Sequence, residues 1–223
     1  MTDFRFHAVM AEDSGQSVLS SLETHVLPLV PGLGAALERG IRVLDVGCGR
    51  GRIINRLAEL FPRSTFEGRD LSREAIDAAM HDAHARKIAN AAFVKEDLSD
   101  FEHTAERDVF DLVTSFDAIH DQARPLKVLK GIRRTLKPSG VYVMQDIRAS
   151  SRVRGNIDHP LGTLLYAVSC LHCMTVSLAQ GGEGLGAMWG EERTRDYLRS
   201  AGFTSIEVHQ LDHDIQNNWY VVR

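Results

Sequence analysis

The sequence Asp45-Val46-Gly47-Cys48-Gly49-Arg50-Gly51 decides the fold of this chain of 223 residues. It follows the apolar run Ile41–Leu44, which predicts a short buried strand, and precedes Arg52–Phe61, whose apolar residues recur at helical spacing. The glycines therefore lie on a strand-to-helix turn, where parallel α/β sheets hold nucleotide-like ligands. Glycine suits this turn because a backbone without a Cβ adopts positive φ and approaches a ligand closely.

The side chains around these glycines indicate the kind of ligand. A dinucleotide-binding turn reads G-x-G-x-x-G and needs a third glycine at position 52, where this chain has Arg52. The carboxylate of Asp45, two residues before the first glycine, would repel a pyrophosphate at the helix start. The same carboxylate favours a cationic ligand, such as one that carries an ammonium group and a sulfonium.

The composition limits the class of protein. Hydrophobic residues make up 43% and charged residues 25%, with a formal net charge of -4, so nothing indicates a surface that coats nucleic acid. No run of 18 apolar residues occurs, and from this we expect no membrane span. Three cysteines are an odd number and form no disulfide framework, which favours a cytoplasmic protein.

Strands and helices alternate along the first two thirds of the chain. Residues 1–40 read as a helical lead-in that ends near Pro28 and Pro31-Gly32. Strands are expected at about 41–46, 65–70, 92–97, 109–115 and 141–146, with helices at about 52–61, 73–87 and 124–136 between them, and the turn Lys137–Gly140 stops the last helix. Such alternation predicts right-handed βαβ units and a parallel sheet.

The alternation breaks at about residue 147. A helix at about 160–179 and the glycine-rich run Gly181–Gly186, which would serve as a hinge, precede a helix that starts at Glu191. Two final strands, at about 204–211 and 217–223, are joined by a short turn and predict an antiparallel hairpin.

The stretch Val43–Gly51, followed in order by Asp70, Asp97 and the turn Leu136–Gly140, resembles the class I S-adenosylmethionine-dependent methyltransferases. The resemblance implies an α/β, Rossmann-like fold: a mostly parallel seven-stranded sheet with a C-terminal antiparallel hairpin and a helical lid. We expect a single domain over 1–223, with 147–189 as the lid insertion. Residues 156–190 resemble a subgroup that often carries a winged-helix domain ahead of this one; that domain is not among these residues, so its functions are not carried over.

Two acids at predicted strand ends support a nucleoside ligand. Asp70 lies 19 residues after Gly51, and a carboxylate there can accept hydrogen bonds from ribose hydroxyls. The resemblance implies that Asp97 receives the adenine amino group, that Leu98 packs on the ring and that Asp45 serves the amino-acid end. The expected contacts of S-adenosylmethionine, and of its product S-adenosylhomocysteine, are Asp45, Gly47, Cys48, Gly49, Gly51, Asp70, Leu71, Asp97, Leu98 and Ser115.

Candidates for work on the methyl acceptor follow the fourth strand and lie in the insertion. Asp117, His120 or Asp121 would orient an acceptor or remove its proton, work that suits a histidine with a pKa near neutrality. His172 is a further candidate, with Tyr166 beside it in the insertion. Cys170 and Cys173 form one C-x-x-C pair without a second pair or a recognised zinc spacing, so we expect no metal.

From the sequence we expect a small molecule as the methyl acceptor. A module that binds S-adenosylmethionine or S-adenosylhomocysteine without catalysis is the alternative, and it would have the same fold. A nicotinamide-dependent oxidoreductase is disfavoured by Arg52 and Asp45. A nucleic-acid methyltransferase is a further alternative, but no Asn-Pro-Pro-Tyr-type motif follows the fourth strand, where Ser115–Ala118 stand, which argues specifically against methylation of adenine N6 or cytosine N4.

Overall fold

The structure is a computed structural model that describes residues 17–223. Its strands form one seven-stranded mixed sheet in the order β3-β2-β1-β4-β5-β7-β6, so the expected fold class is confirmed. The described chain divides into two compact units. One contains the described residues up to Glu96 together with Phe110–Phe116, and the other contains Asp97–Val109 and Asp117–Arg223.

The first unit is built from parallel strands and their helices. Strand β1 pairs with β2 and with β4, and β2 pairs with β3, all in parallel. Along the chain the elements are α1 (Leu33–Arg39), β1 (Arg42–Val46), α2 (Arg52–Leu60), β2 (Thr65–Asp70), α3 (Arg73–Ala85), β3 (Ala91–Lys95) and β4 (Phe110–Phe116). A serine directly before a helical run predicts an N-cap, and the side chain of Ser72 does cap α3 by accepting from Ala75 N at 3.2 Å.

The second unit carries the antiparallel part of the sheet. Strand β7 pairs in antiparallel fashion with β5 and with β6, which confirms the C-terminal hairpin. Its elements are α4 (Phe101–Thr104), α5 (Pro125–Thr135), β5 (Leu136–Ile147), α6 (Gly162–Val168), α7 (Met174–Ala179), α8 (Gly190–Ser200), β6 (Ile206–His209) and β7 (Asn217–Val222). The five-residue π-helical segment Ser169–Cys173 joins α6 to α7.

Two sequence expectations about local structure need correction. The turn Lys137–Gly140 lies inside β5, which begins at Leu136 directly after α5 ends. The expected single lead-in helix is instead a series of short helical segments, the 3-10 helix Leu19–Ser21, the π-helix Leu22–Val26 and the 3-10 helix Leu27–Leu29, followed by α1. Pro28 accounts for the last of these segments, Leu27–Leu29, because its nitrogen carries no N–H to continue a regular helix. The part of the lead-in before residue 17 lies outside the described residues.

One helical stretch is unusually apolar. Gly162–Ala179 spans 18 residues, and by length and composition alone it could cross a membrane. The expectation of no such span overlooked it because Ser, Thr and His interrupt its apolar residues. Three leucines spaced seven residues apart are exposed on it: Leu164, Leu171 and Leu178.

The glycine run after this helix packs closely against it. A Cβ at Gly182 would lie 2.5 Å from Ser177 Oγ, and a Cβ at Gly186 would clash with Ser169 Oγ. Glycine is therefore needed here for close packing in the second unit. A hinge role for this run stays a prediction.

Candidate functional site

The glycine loop of the first unit has the backbone that its sequence predicts. Gly47, Gly49 and Gly51 all have positive φ, at 74°, 52° and 67°. The amides of Gly47 and Cys48 both donate to the carbonyl of Arg69, at 2.8 and 3.1 Å, which ties the loop to the end of β2. The loop is thus fixed by backbone bonds before any ligand contacts it.

Two glycines of the loop serve different purposes. A Cβ at Gly51 would lie 2.5 Å from Phe93 Cε1 and 2.7 Å from Ala79 Cβ, so Gly51 lets α2 pack against its neighbours. A Cβ at Gly49 would meet no atom within 4 Å. Gly49 therefore leaves open space beside the backbone, which is what a closely approaching ligand requires.

Asp70 joins the end of β2 to this loop. Its Oδ2 accepts from Gly49 N at 2.8 Å, and its Oδ1 accepts from Ser72 N at 2.8 Å. A carboxylate has about four acceptor positions, so both oxygens keep capacity for further donors. Leu71, the next residue, is 44% exposed although it is apolar. A carboxylate beside an exposed apolar side chain fits a sugar with an attached ring.

Asp45 is a buried acid that is bonded to β4. It is 3% exposed, and its Oδ1 accepts from Thr114 Oγ1 at 2.7 Å. Burial raises the pKa of Asp45 to about 7; the hydrogen bond from Thr114 opposes that rise and the charge of Asp70 adds to it. A group with this pKa changes charge near neutral pH and responds to a cation placed close to it.

The other expected cofactor residues of the first unit differ in accessibility. Cys48 is half-buried, and a Cβ on Gly68 would lie 2.8 Å from its Sγ, so the thiol fills space against β2. Burial raises the pKa of the Cys48 thiol well above its ordinary value, followed by the charges of Asp45 and Asp70. Ser115 is fully buried in β4. Its role as a cofactor contact stays a prediction.

Asp97 and Leu98 belong to the second unit, where they start a short 3-10 turn. The Asp97 side chain caps that turn by accepting from Ser99 N at 2.9 Å and from Ser99 Oγ at 2.5 Å. These hydrogen bonds, with the hydroxyl first, lower the pKa of Asp97. Asp97 is exposed, whereas Leu98 is buried. Their expected roles at an adenine ring stay predictions.

A buried histidine is the centre of the second unit's polar cluster. His120 is 4% exposed, and its Nδ1 lies 2.8 Å from Asp146 Oδ1. The same oxygen accepts from Trp189 Nε1 at 3.1 Å and from Ile147 N at 2.8 Å. Three donors thus fix the Asp146 carboxylate, and Asp146 in turn fixes the orientation of the imidazole.

The opposite edge of this imidazole faces further polar groups. His120 Nε2 lies 3.4 Å from Asp121 Oδ1, and His172 Nε2 lies 3.7 Å from Asp121 Oδ2. Burial alone would lower the pKa of His120, but the charges of Asp146 and Asp121 outweigh it and hold the pKa well above its ordinary value. Burial raises the pKa of the neighbouring Cys173 thiol. The surroundings therefore favour a positive charge at this point.

Asp117 stands at a strained position directly after β4. Its φ is 48°, which is uncommon for a residue that has a Cβ, and such strain gathers at functional sites. Its amide donates to Gln145 O at 3.0 Å, and its Oδ2 accepts from Gln145 Nε2 at 3.0 Å. The structure thus brings the predicted His120 and His172 together through Asp121, and it holds Asp117 by bonds to β5.

A family described as "Methyltransferase domain" matches residues 37–191 of this chain, which is more than half of its length. The chain belongs to the class I S-adenosylmethionine-dependent methyltransferases. The matched range includes the glycine loop, Asp70 and the polar cluster around His120. The sequence resemblance to this family is therefore confirmed.

Individual methyltransferases give more distant likenesses. The fatty-acid O-methyltransferase of Mycolicibacterium smegmatis is 32% identical over 109 residues, which are 49% of this chain and 38% of that protein. The matched parts are less than half the length of the first three curated relatives. A SAM-dependent methyltransferase from Aquifex aeolicus matches with a TM-score of 0.64 and 17% identity over 95% of this chain and 96% of that one.

A third likeness is to the trans-methyltransferase CalH, whose structure is a complex with SAH. It matches with a TM-score of 0.64 and 22% identity over 88% of this chain and 54% of that one. At such low identity these two solved structures show the fold of the methyltransferase chain and nothing finer.

The sequence did not reveal three residues that form hydrogen bonds in the polar sites of this methyltransferase: Thr114, Asp146 and Trp189. Thr114 was overlooked in favour of Ser115, although the parallel register places Thr114 beside Asp45. Asp146 was recognised only as a strand end, and Trp189 only as the limit of the insertion. No local pattern identifies them, because the bonds from Asp146 to His120 and Trp189 join residues 26 and 43 positions apart.

Proposed function

We propose that this chain transfers a methyl group from S-adenosylmethionine to a small-molecule acceptor. The observation that carries the proposal is the bond from Gly49 N to Asp70 Oδ2 at 2.8 Å, in a loop whose Gly49 leaves open space beside the backbone. That arrangement combines a close backbone approach with a carboxylate that has free acceptor capacity. A nucleoside with two ribose hydroxyls uses both features.

The residues of the first unit fit the proposed cofactor. Asp70 would accept from the ribose hydroxyls with the lone pairs that its two backbone bonds leave unused. The exposed side chain of Leu71 would pack against the adenosine. Asp45 would attract the ammonium group, and a nearby cation would favour its ionised form. A pyrophosphate is disfavoured here because two acids, Asp45 and Asp70, stand beside the loop.

When bound, S-adenosylmethionine supplies a methyl group that its sulfonium already activates. The chain's residues then need mainly to align the donor and the acceptor, and alignment can contribute several kcal/mol, with about 7–11 kcal/mol as the upper range. His120, Asp117 and His172 are proposed to orient the acceptor or to take part in its proton transfer. His120 lies between two carboxylates, so it is suited to hold a positive charge or to donate a hydrogen bond.

The acceptor class is proposed from the insertion and from one relative. The insertion supplies an apolar helix, Gly162–Ala179, whose 18 residues favour contact with an apolar molecule. The relative from Mycolicibacterium smegmatis carries the name of a fatty-acid O-methyltransferase. We therefore propose an oxygen acceptor on an apolar small molecule, with residues 147–189 as the segment that selects it. The cytoplasm is the proposed compartment, and no nucleic-acid partner is proposed.

One observation favours a second candidate function. His120 and Asp146 are 4% and 0% exposed, so the central residues of the polar cluster are closed to solvent. A domain that binds S-adenosylmethionine or S-adenosylhomocysteine without catalysis would have such a closed cluster. The two functions differ in turnover: only the enzyme releases S-adenosylhomocysteine in proportion to a methylated acceptor.

The proposal is tested first by calorimetric titration of the full chain with S-adenosylhomocysteine, with NADH as the control ligand. Binding of S-adenosylhomocysteine alone supports the assignment of the loop. Binding of NADH alone, or of neither ligand, contradicts it. A second assay follows the release of S-adenosylhomocysteine from S-adenosylmethionine with fatty acids and phenols as acceptors; cofactor binding without turnover on any of them favours the non-catalytic module.

A further inference from the structure

Three side chains of the second unit offer metal-binding atoms at one point. The ligand atoms of His120, Asp121 and Cys173 all lie within 4.8 Å of one another, and His120 and Cys173 are buried. They supply one nitrogen, one oxygen and one sulfur. This donor set differs from an exposed cluster of acids because it includes a thiol and an imidazole, which bind transition metals more strongly than Mg²⁺ or Ca²⁺.

The imidazole of His120 has the orientation of a metal ligand. Its Nδ1 lies 2.8 Å from Asp146 Oδ1, and that carboxylate is itself fixed by Trp189 Nε1 at 3.1 Å. Metal-binding histidines almost always donate their second ring N–H to a carboxylate or carbonyl in this way, which fixes the tautomer that leaves the other nitrogen free to bind. In His120 the other nitrogen is Nε2, which faces Asp121.

The separation between the ligand atoms fits a tetrahedral ion. His120 Nε2 lies 3.4 Å from Asp121 Oδ1. Nitrogen and oxygen ligands at about 2.0–2.1 Å from a tetrahedral zinc ion lie about 3.4 Å apart. That value is long for a hydrogen bond and matches the edge of a zinc tetrahedron.

An independent observation concerns the hydrogen bonding of the Asp121 carboxylate. The Asp121 Oδ1 atom is buried and accepts no hydrogen bond from the part of the chain that the structure describes. A buried carboxylate oxygen without a hydrogen bond is costly, so it needs a cation or another donor. His120 Nε2 lies 3.4 Å from this oxygen and pairs with it by charge, but that distance is long for a hydrogen bond, whereas an ion between the two atoms would bond both.

We propose that His120 Nε2, Asp121 Oδ1 and Cys173 Sγ bind a divalent transition-metal ion of the zinc type, with a fourth position open. On binding, two protons are released to solvent: Cys173 loses its thiol proton and bonds the ion as a thiolate, and the protonated His120 loses its Nε2 proton so that this nitrogen bonds the ion. Three protein ligands with one open position are typical of catalytic rather than structural zinc. His172, whose Nε2 lies 3.7 Å from Asp121 Oδ2, stands beside the site.

The open position would bind the hydroxyl or thiol of a methyl acceptor and lower its pKa. This consequence rests on the proposed methyl transfer, whereas metal binding itself does not. A metal at this site would differ from the expectation of no metal, which rests on the spacing of Cys170 and Cys173. Cys173 lies beside His120 and Asp121, which are far from it in sequence, whereas Cys170 is exposed.

The test uses the full chain freed of metal with a chelator and then titrated with Co²⁺ alone. We expect a sulfur-to-cobalt charge-transfer band in the near ultraviolet that saturates at one equivalent and disappears when Zn²⁺ is added. Cys173→Ser should abolish the band, and Cys170→Ser is the matched control that should keep it. Asp146→Asn should keep the band but weaken binding by about 10- to 100-fold, the usual effect of removing such a carboxylate.

Circular dichroism and thermal unfolding establish that each variant is folded. If Cys173→Ser does not fold, Asp121→Asn replaces it, because the Asp121 side chain is 26% exposed; it should weaken Zn²⁺ binding at least tenfold. The absence of a charge-transfer band in the unmodified chain, or a band that survives Cys173→Ser, would overturn the proposal. The unmodified chain and each folded variant are also titrated with S-adenosylhomocysteine, which keeps the two proposals separate. If the unmodified chain does not bind this ligand, only the proposed methyltransferase activity is contradicted.

Discussion

The carboxylate of Asp70 fixes the amide of Gly49: Asp70 Oδ2 lies 2.8 Å from Gly49 N, and the two residues are 21 positions apart. The end of one strand thereby holds the loop that follows another. Both oxygens of Asp70 accept a backbone donor, so the side chain is oriented before a ligand arrives. Binding then costs little conformational entropy at this residue.

Removal of this carboxylate should weaken cofactor binding. We expect Asp70→Ala to lose about 1.5–3 kcal/mol, the range for hydrogen bonds to a charged group. That loss is on the order of 10- to 150-fold in the dissociation constant of S-adenosylhomocysteine. Asp77→Ala, which removes an exposed acid from α3, is the control and should leave the affinity unchanged. Equal affinities of the two variants would remove Asp70 from the cofactor site.

The two neighbouring glycines should respond differently to the same substitution. Gly51→Ala places a Cβ 2.5 Å from Phe93 Cε1, so overpacking should lower the free energy of unfolding by about 1–3 kcal/mol. Gly49→Ala meets no atom within 4 Å but keeps a φ of +52°, which costs about 1–2 kcal/mol for a residue with a Cβ.

Urea unfolding and titration with S-adenosylhomocysteine separate the two effects. Because the new methyl group at Gly49 would occupy the open space, we expect Gly49→Ala to lose more affinity than its lower stability explains. Gly51→Ala should bind the ligand normally while it is folded. An unchanged affinity in folded Gly49→Ala would mean that the open space beside the loop is not used by the ligand.

Leu71 offers a test of packing against the adenosine. Leu71 is 44% exposed, so Leu71→Ala should change the free energy of unfolding by less than about 0.5 kcal/mol, as is usual for surface positions. Its affinity for S-adenosylhomocysteine should fall by about 1 kcal/mol, because burying an apolar side chain contributes about 25 cal/mol per Å². Met80→Ala, at an apolar residue of α3 that is also exposed (52%), is the control. A loss of affinity in both variants would point to a general effect on the unit.

The parts of the fold that rest on local patterns were predictable. The period of the apolar residues located β1 and α2 within one or two residues, and the glycines identified the turn between them. The capping role of Ser72 followed from its place before a helical run. These features depend on neighbours within about one turn of helix, so the sequence alone carries the necessary information.

The polar cluster could not be predicted because its residues meet only after folding. His120 bonds to Asp146 from 26 positions away, and Trp189 reaches the same carboxylate from 43 positions away. The C-x-x-C spacing drew attention to Cys170 and Cys173 as a pair, yet only Cys173 is buried. Residues Lys137–Gly140 have the composition of a turn but lie within β5, so their local preference alone gave the wrong prediction.

Asp45 should give the chain a pH-dependent stability near neutrality. Burial raises its pKa from 3.8 to about 7 in the folded chain, so the folded state binds a proton that the unfolded state releases. Its contribution to stability is present in full below about pH 4, falls as the pH rises toward 7 and is lost above that range. The slope is at most about 1.4 kcal/mol per pH unit.

The measurement compares urea unfolding of the unmodified chain and of Asp45→Asn at pH 5, 6, 7 and 8. Groups that do not interact with Asp45 contribute equally to both proteins, so the difference between the two free energies of unfolding reports Asp45 together with its coupling to Asp70. That difference should shift in favour of Asp45→Asn as the pH rises. A difference that does not vary with pH would mean that Asp45 has an ordinary pKa in the folded chain.

Trp189 should help the polar cluster to bind a metal ion, whereas Trp219, which has a similar hydrogen bond, should not. Trp189 Nε1 donates to Asp146 Oδ1 at 3.1 Å, and Trp219 Nε1 donates to Asp214 Oδ2 at 2.9 Å, both in buried surroundings. Each Trp→Phe variant removes one hydrogen bond to a carboxylate, so each should lower the free energy of unfolding by about 1.5–3 kcal/mol.

Only Trp189→Phe should also weaken Co²⁺ binding, because only Asp146 is bonded to His120. The expected weakening is smaller than in Asp146→Asn, since Ile147 N still donates to the carboxylate at 2.8 Å and keeps part of its orientation. Trp219→Phe controls for the general effect of losing a buried indole. If the two variants are equally destabilised and bind Co²⁺ equally, then Trp189 stabilises the fold without positioning the imidazole. The orientation of His120 would then depend only on Asp146 and on the bond that Ile147 N donates to that carboxylate.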